Sequence, residues 1–546
     1  PTNKDGQQAD CTKLFGPIRH QGRAAPVGLF NKLQQAPAVL RMSRQSKCMP
    51  STPSESSKAP AQTIVIGAGP AGLSAAYLLS KAGRAVIVLE SDPRYVGGIS
   101  RTAEYKDFRF DIGGHRFFSK SGEIEALWSE ILPDDMLQRP RSSRIFYRGK
   151  FFSYPLKAME ALRKLGIAES VCCVASYAKA RLFPIKTPRN FEEWVTNQFG
   201  ARLFSIFFRT YTEKVWGMSC REISADWAAQ RIKGLSLAKA MWAALTPTRR
   251  AQNRHKVIKT LIDTFRYPRL GPGMLWSAAA AKIRANGGQV LLDRKVTRLC
   301  YEASTKSWMV EAQDQSGAIH RFTGADVISS EPIRELIPSI TPAPSAHAQQ
   351  AAQSLRYRDF ITIALILEDK KTFTDNWIYI HDPSVKVGRI QNFKSWSPDL
   401  LPKENLNCYG LEYFCFEGDP LWASPDTDLI RLATAELVKI GLAGPDDVLD
   451  GCVIRQPKAY PIYDDDYKKH IATIRNELNT HYPRLHLVGR NGMHKYNNQD
   501  HAMMTALLCA KNILAGRPLY DLWAVNEDAE YHESGNHETT GAQLSK

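Results

Sequence analysis

Two sets of residues in this 546-residue chain have the types and spacing to do chemistry. One is a glycine-patterned turn that can hold a pyrophosphate. The other is a scatter of Arg, Tyr and His that can hold an anion beside whatever the turn binds. The turn is Gly67-Ala68-Gly69-Pro70-Ala71-Gly72, entered from the apolar run Thr63–Ile66 and followed by Leu73, Ala75, Ala76, Leu78 and Leu79 at helical spacing. The first glycine permits a tight turn, the second lets backbone approach phosphate, and the third lets helix and strand pack closely. Phosphates then sit on the helix N-terminus, where unpaired N–H groups and the helix dipole favour negative charge. A second apolar run, Ala85 to Leu89, ends on Glu90, 23 residues after Gly67, in position to accept hydrogen bonds from ribose hydroxyls. Gly67, Gly69, Pro70, Ala71, Gly72 and Glu90 are therefore expected to bind an adenine dinucleotide.

Past Glu90 come Gly97-Gly98 and Arg101, then Phe110-Asp111-Ile112-Gly113-Gly114-His115-Arg116-Phe117. A second glycine pair just beyond the acid resembles the glutathione-reductase-type flavoproteins, in which that loop passes the flavin side of the cofactor. The resemblance implies FAD rather than a nicotinamide. It adds Gly97, Gly98, Arg101, Gly114, Gly489, Arg490 and Asn498 to the cofactor contacts, with Val296 on a strand beside the adenine.

The segment Tyr211-Thr212-Glu213-Lys214-Val215-Trp216-Gly217 resembles an element of the UDP-galactopyranose mutases that holds the uridine of the substrate. Three further stretches occur in the order that family would have them. These are Arg231, Arg389 in Gly388-Arg389-Ile390-Gln391-Asn392-Phe393-Lys394, and Gly489-Arg490 through Tyr496 to Asn498. Asn392 stands where that family has Glu, Asn498 where it has Asp, and the His115 loop is a variant. The resemblance, over roughly residues 60–516, implies an FAD-dependent isomerase of nucleotide sugars in polysaccharide biosynthesis, acting through an adduct between reduced flavin N5 and the sugar. It casts His115, Arg389, Arg490 and Tyr496 as catalytic and Tyr211, Trp216, Arg231, Arg389, Tyr460 and Tyr496 as substrate-binding. It also implies reduced flavin, with NAD(P)H as a possible external donor. Arg forks and Tyr hydroxyls suit a departing diphosphate, and no Ser/His/Asp or Cys/His set competes for the role of nucleophile. The alternative is an FAD oxidoreductase of the amine-oxidase, protoporphyrinogen-oxidase and desaturase group, which shares the dinucleotide elements. By spacing alone Tyr211 and Trp216 read as core aromatics, His115 as a loop or core residue, and Asp464 to Asp466 as a solvated turn.

These residues need a scaffold of α/β class: a three-layer, Rossmann-like FAD domain, discontinuous in sequence, with a helical insertion and an antiparallel substrate-binding sheet. The expected boundaries are 59–154, 266–330 and 480–520 for the FAD domain, 155–265 for the helical insertion and 331–479 for the substrate sheet. A disordered extension at 1–58 and a tail at 521–546 flank them. Helical spacing (Leu156, Met159, Leu162, Leu165) marks the insertion, alternating strands from Phe360 to Cys452 mark the sheet, and a helix is expected over Gln499 to Ala515.

Composition narrows the classes. The 43% apolar content suits a large core, and of the net charge of +17 the first 58 residues carry +6. Their arginines and few acids are compatible with an organellar transit segment or a processed terminus. No basic run is interleaved with aromatics, so nucleic acid is not the expected partner, and no run of 18 apolar residues occurs. Ten scattered cysteines without a CxxC read as reduced, cytoplasmic thiols, with no metal centre. A small-molecule substrate and a homo-oligomer complete the expectation.

Overall fold

The computed structural model describes residues 62–225, 264–370 and 373–526, so the extension at 1–58 and Arg231 lie outside the described residues. A parallel five-stranded sheet forms the centre of the first half, in the order Leu485–Leu487, Asp326–Ser329, Thr63–Ile66, Val86–Leu89, Gln289–Leu291. Its three central strands are short, Val- and Ile-rich and buried on both faces, as parallel strands between two layers must be. One face packs on helices Pro70–Lys81, Gly273–Ala285 and Gln499–Ala515 through Leu73, Ala76, Trp276, Ala279 and Ala506. The other face packs on a mixed sheet of Ile319–Gly324, Ser307–Gln313 and Lys295–Glu302, antiparallel to one another, with Ile340–Thr341 added in parallel, through Ile64, Leu299, Trp308 and Val310. These are the three layers expected from the sequence, assembled from segments far apart in the chain.

The second half is a seven-stranded sheet in the order Val448–Pro461, Tyr357–Glu368, Leu406–Cys415, Arg389–Asn392, Trp377–Ile380, Ser143–Tyr147, Lys150–Ser153. The last two strands form a hairpin that falls within the bounds expected for the FAD domain (59–154). They join this seven-stranded sheet instead, because Trp377 pairs in parallel register with Ser143 and Ile380 with Phe146. Helix Asp426–Lys439 covers one face through Leu429, Ala433 and Leu437. A two-stranded ribbon, Met136–Pro140 with Thr264–Pro268, ties together the points where the chain leaves and re-enters the first half. Between them the described part of the insertion is helical: Ala158–Leu165, Ile167–Leu182, Phe191–Phe199, Ala201–Phe204, the wide turn Ser205–Arg209 and Thr210–Trp216. No helix among the described residues is long and apolar enough to cross a membrane.

Candidate functional site

The phosphate turn is built by close approach. A Cβ on Gly72 would sit 1.9 Å from the Gly67 carbonyl oxygen, so only glycine lets the Pro70–Lys81 helix start this near its strand. Pro70 occupies the first helical position, where its missing N–H costs nothing, and no side chain caps that helix end. The first-turn N–H groups are thus directed at a space walled by Gly69 and by Gly98, whose added Cβ would lie 3.2 Å from the Gly69 Cα. Glu90 is nearly buried at the end of its strand; its carboxylate accepts the Ala68 N–H at 2.6 Å and the Asp92 N–H at 2.9 Å. The Gly97 N–H donates to the Ala68 carbonyl at 2.8 Å, and Arg101 donates to the Gly98 carbonyl at 3.0 Å, which ties the second glycine pair to the first turn. Gly489 closes the turn from the opposite side: its N–H donates to Thr505 Oγ1 and its added Cβ would stand 3.0 Å from the Ala71 Cβ. Val296 is buried in the core, and the short Ile340–Thr341 strand pairs only with Leu299 and Cys300, which leaves the Val296 edge uncovered on that side among the described residues. Asn498 caps the Gln499–Ala515 helix, reciprocally with His501.

From here the chain turns towards the second sheet. Gly113 lies against Phe360, Arg389 and His115, each within 3.8 Å of where its Cβ would be, and Gly114 lies against Gln391 and Trp396. His115 is thereby set between the dinucleotide half and the sheet. Burial, and then the positive fields of Arg490 and Arg389, pull its imidazole from an ordinary value near 6.5 down to about 3. It is neutral at physiological pH. Asp111, at the start of this loop, is fully buried and accepts the Tyr267 hydroxyl at 2.8 Å; burial raises its carboxyl well above the usual range.

Arg389 donates to Glu412 Oε2 through Nε at 2.8 Å and Nη2 at 2.6 Å, and Gln391 donates to Glu412 Oε1 at 2.8 Å. Burial works against the Arg389 charge, and the wholly buried Glu412 outweighs it, so the guanidinium stays protonated. Arg490 donates to the carbonyls of Asn497 and Ala459 and lies 5.2 and 5.5 Å from the ring centroids of Tyr460 and Tyr496. Those two rings are stacked, 5.4 Å apart and 12° from parallel. Trp216 adds a third ring, 5.7 Å from Tyr496, and is buried with Phe191, Val195 and Ile462. Tyr211 stacks on His381 at 4.9 Å and meets Tyr379 edge-on at 5.3 Å. Seven of the residues singled out from sequence, His115, Arg389, Arg490, Tyr460, Tyr496, Tyr211 and Trp216, therefore form one linked cluster.

The sequence reading missed the residues that hold this cluster in place. Lys214 donates to the carbonyls of Asp382 at 2.6 Å, Val387 at 3.1 Å and Ile380 at 3.2 Å, which docks the Thr210–Trp216 helix on the sheet; burial brings its ammonium down to about 8. Arg358 does the same from the sheet side, donating to the carbonyls of Val215 at 3.1 Å and Phe414 at 2.8 Å. Glu412 was legible only as an acid in the apolar run Leu411 to Phe414. The pairings of Lys214 and Arg358 are with backbone and leave no pattern in sequence.

A family model for flavin containing amine oxidoreductase matches residues 70–514. The chain belongs to that family. A 61-residue stretch is 48% identical to the L-amino-acid oxidase of Crotalus adamanteus, covering 11% of this chain and 12% of that protein. The chain thus matches only about an eighth of that relative's length. Among solved structures, a reduced UDP-galactopyranose mutase superposes with a TM-score of 0.73 at 21% identity, covering 86% of this chain and 99% of that one. A putrescine oxidase superposes with a TM-score of 0.56 at 16% identity, covering 83% and 99%. At such identities the likeness is one of fold. The flavoenzyme's residues fit FAD: the uncapped helix start, the paired glycine walls and the Glu90 carboxylate suit the adenosine diphosphate.

Proposed function

We propose that this flavoenzyme is a nucleotide-sugar mutase of the UDP-galactopyranose mutase type, interconverting pyranose and furanose forms without net oxidation. The observation that carries the reading is the convergence of Arg389, Arg490, Tyr460 and Tyr496 on the loop of His115, next to the helix bearing Tyr211 and Trp216. Bound FAD, once reduced by a donor such as NAD(P)H, would supply an electron-rich centre able to displace the diphosphate from the anomeric carbon. Arg490 and Arg389 would hold that diphosphate by charge-assisted hydrogen bonds, Arg389 being kept in orientation by Glu412. Tyr460, whose hydroxyl burial keeps protonated, and Tyr496 beside it would donate to the same oxygens. Neutral His115 can accept or donate one hydrogen bond at the flavin edge, and Tyr211, Trp216 and Arg231 would receive the nucleoside. Residues 59–142, 266–330 and 480–520 would act as the cofactor domain of a cytoplasmic enzyme.

A second reading, an amine or amino-acid oxidoreductase, is favoured by the family match and the oxidase-like stretch. The stacked Tyr460 and Tyr496 rings with Arg490 beside them would then receive a substrate carboxylate or amine. Dithionite-reduced protein offered UDP-, dTDP- and GDP-hexoses should convert one of them to its ring isomer, and Arg490→Ala should lower kcat/KM on the order of 100-fold. Bleaching of the oxidised flavin by L-amino acids or amines, with every nucleotide sugar left unchanged, would instead establish the oxidoreductase.

A further inference from the structure

Charge is unevenly distributed along this chain. Residues 155–265 carry 19 Lys and Arg against eight Asp and Glu, which is +11 of the total of +17, whereas residues 59–154 and 266–546 together hold 44 of each sign. The site accounts for little of the excess, since Arg389 and Arg490 lie outside this segment. The same segment has an apolar surface turned outward. On the Ile167–Leu182 helix, Ile167, Val171, Val174, Ala175, Ala178 and Leu182 fall within an arc of about 100°, the width of one amphipathic face. All six are exposed, Ile167 at 86%, Val171 at 62% and Leu182 at 73%. The face turned inward is carried by small residues, Cys173 and Ala180. A helix of a globular core has the opposite arrangement.

The stripe continues into Phe183, 77% exposed, and Ile185, and borders an open groove of about 600 Å³ lined by Met159, Leu162, Ile167 and Val171. Exposed Arg163, Lys179, Arg181 and Lys186 fringe it. The acids nearby are already engaged, Glu160 by Lys164 at 2.6 Å and Glu169 by Arg202 at 2.8 Å. Apolar residues in a stripe with a cationic fringe are the makings of a helix that lies in the plane of an anionic lipid surface. A second copy would bring the basic fringe against its equivalent, and a nucleic acid would leave the stripe in water.

We propose that this face docks the enzyme onto an anionic lipid bilayer, with Val171, Val174, Leu182 and Phe183 entering the acyl boundary and Arg163, Lys179, Arg181 and Lys186 meeting the headgroups. The proposal is independent of which reaction the flavin serves. The full-length, FAD-loaded protein is floated with vesicles of phosphatidylcholine, with and without phosphatidylglycerol. It should float only with the anionic vesicles and release at high salt. The triple change Val171→Ser, Val174→Ser, Leu182→Ser should abolish flotation, and Lys179→Glu with Arg181→Glu should lower the partition roughly tenfold or more, both with unchanged flavin content and thermal unfolding. Absence of flotation with anionic vesicles overturns the proposal. So does flotation that survives the triple change, or a triple change that acts only by abolishing self-association in solution or duplex DNA binding.

Discussion

The dinucleotide turn and the Arg–Tyr cluster are opposite solutions to holding a polar group in a protein interior. Around Gly67 to Gly72 the chain removes side chains, so that backbone N–H groups and a helix start are left open to a ligand. Around Arg389 and Arg490 it adds side chains, guanidinium and phenol groups, with each arginine braced by other residues: Arg389 by Glu412, Arg490 by backbone carbonyls and two rings. The first solution tolerates almost no added atom and the second almost no removed one.

The sharpest break of that contrast is a single methyl. Gly72→Ala places a Cβ 1.9 Å from the Gly67 carbonyl oxygen, a backbone atom that cannot rotate away. Helix and strand must separate, at a cost of about 3 kcal/mol or more, and the phosphate cradle opens with them. The variant should be purified with little or no flavin and a lowered Tm. A fully loaded Gly72→Ala protein of normal stability would mean that the turn is not the cofactor's cradle.

In the cluster the corresponding break removes a partner. Glu412→Gln keeps the shape and deletes the charge facing Arg389, and breaking a buried ion pair from one side costs about 3–5 kcal/mol, because the remaining charge is stranded. Flavin should stay bound, since the Glu412 carboxylate accepts hydrogen bonds from Arg389 and Gln391 of the seven-stranded sheet, whereas stability and turnover should fall. Turnover and stability indistinguishable from the native protein would mean that Arg389 needs no orientation. Equal loss of flavin in both variants would erase the distinction between the halves.

The same contrast explains what was legible beforehand. The turn, Glu90 and the second glycine pair are local: each residue's job depends on neighbours within a few positions, so spacing reveals them. The helix Gln499–Ala515 was legible for the same reason. The cluster draws on five separated segments, and its members were named through family resemblance, while their braces were not. Lys214 and Arg358 pair with carbonyls, which every residue has, so no sequence pattern announces them. The Ser143–Ser153 hairpin falls inside the bounds expected for the FAD domain but pairs with the seven-stranded sheet, since a parallel partner more than 200 residues away is set by tertiary packing.

The smallest effect separates the halves by pH. His381, beside the seven-stranded sheet, and His494, whose ring meets Tyr357 of that sheet edge-on and faces the Ile462 carbonyl, are buried and held at about 3 and about 4, mainly by burial, with the Lys214 charge second for His381. Their folded values lie below the ordinary 6.5, so between those limits the unfolded chain binds protons that the native fold refuses. Stability is therefore lost as pH falls from about 6.5, by about 1.4 kcal/mol per pH unit for each. His115 adds to the same trend at the seam. Glu331, beside the Asp326–Ser329 strand of the dinucleotide sheet, is raised to about 8 by burial and then by Glu335. Its native form holds a proton that the unfolded chain releases, so between about 4.5 and 8 it gains stability as pH falls; Asp111, also raised by burial, acts in that direction nearer the seam. Acidification from neutral pH towards 5 should then loosen the seven-stranded sheet while sparing the parallel one. Hydrogen exchange resolved by peptide should show lost protection first around Trp377–Ile380 and the His494 loop, with Thr63–Ile66 and Asp326–Ser329 unchanged. Protection lost first from the parallel sheet would reverse the assignment, because it would place the acid-sensitive protons in the half built from backbone.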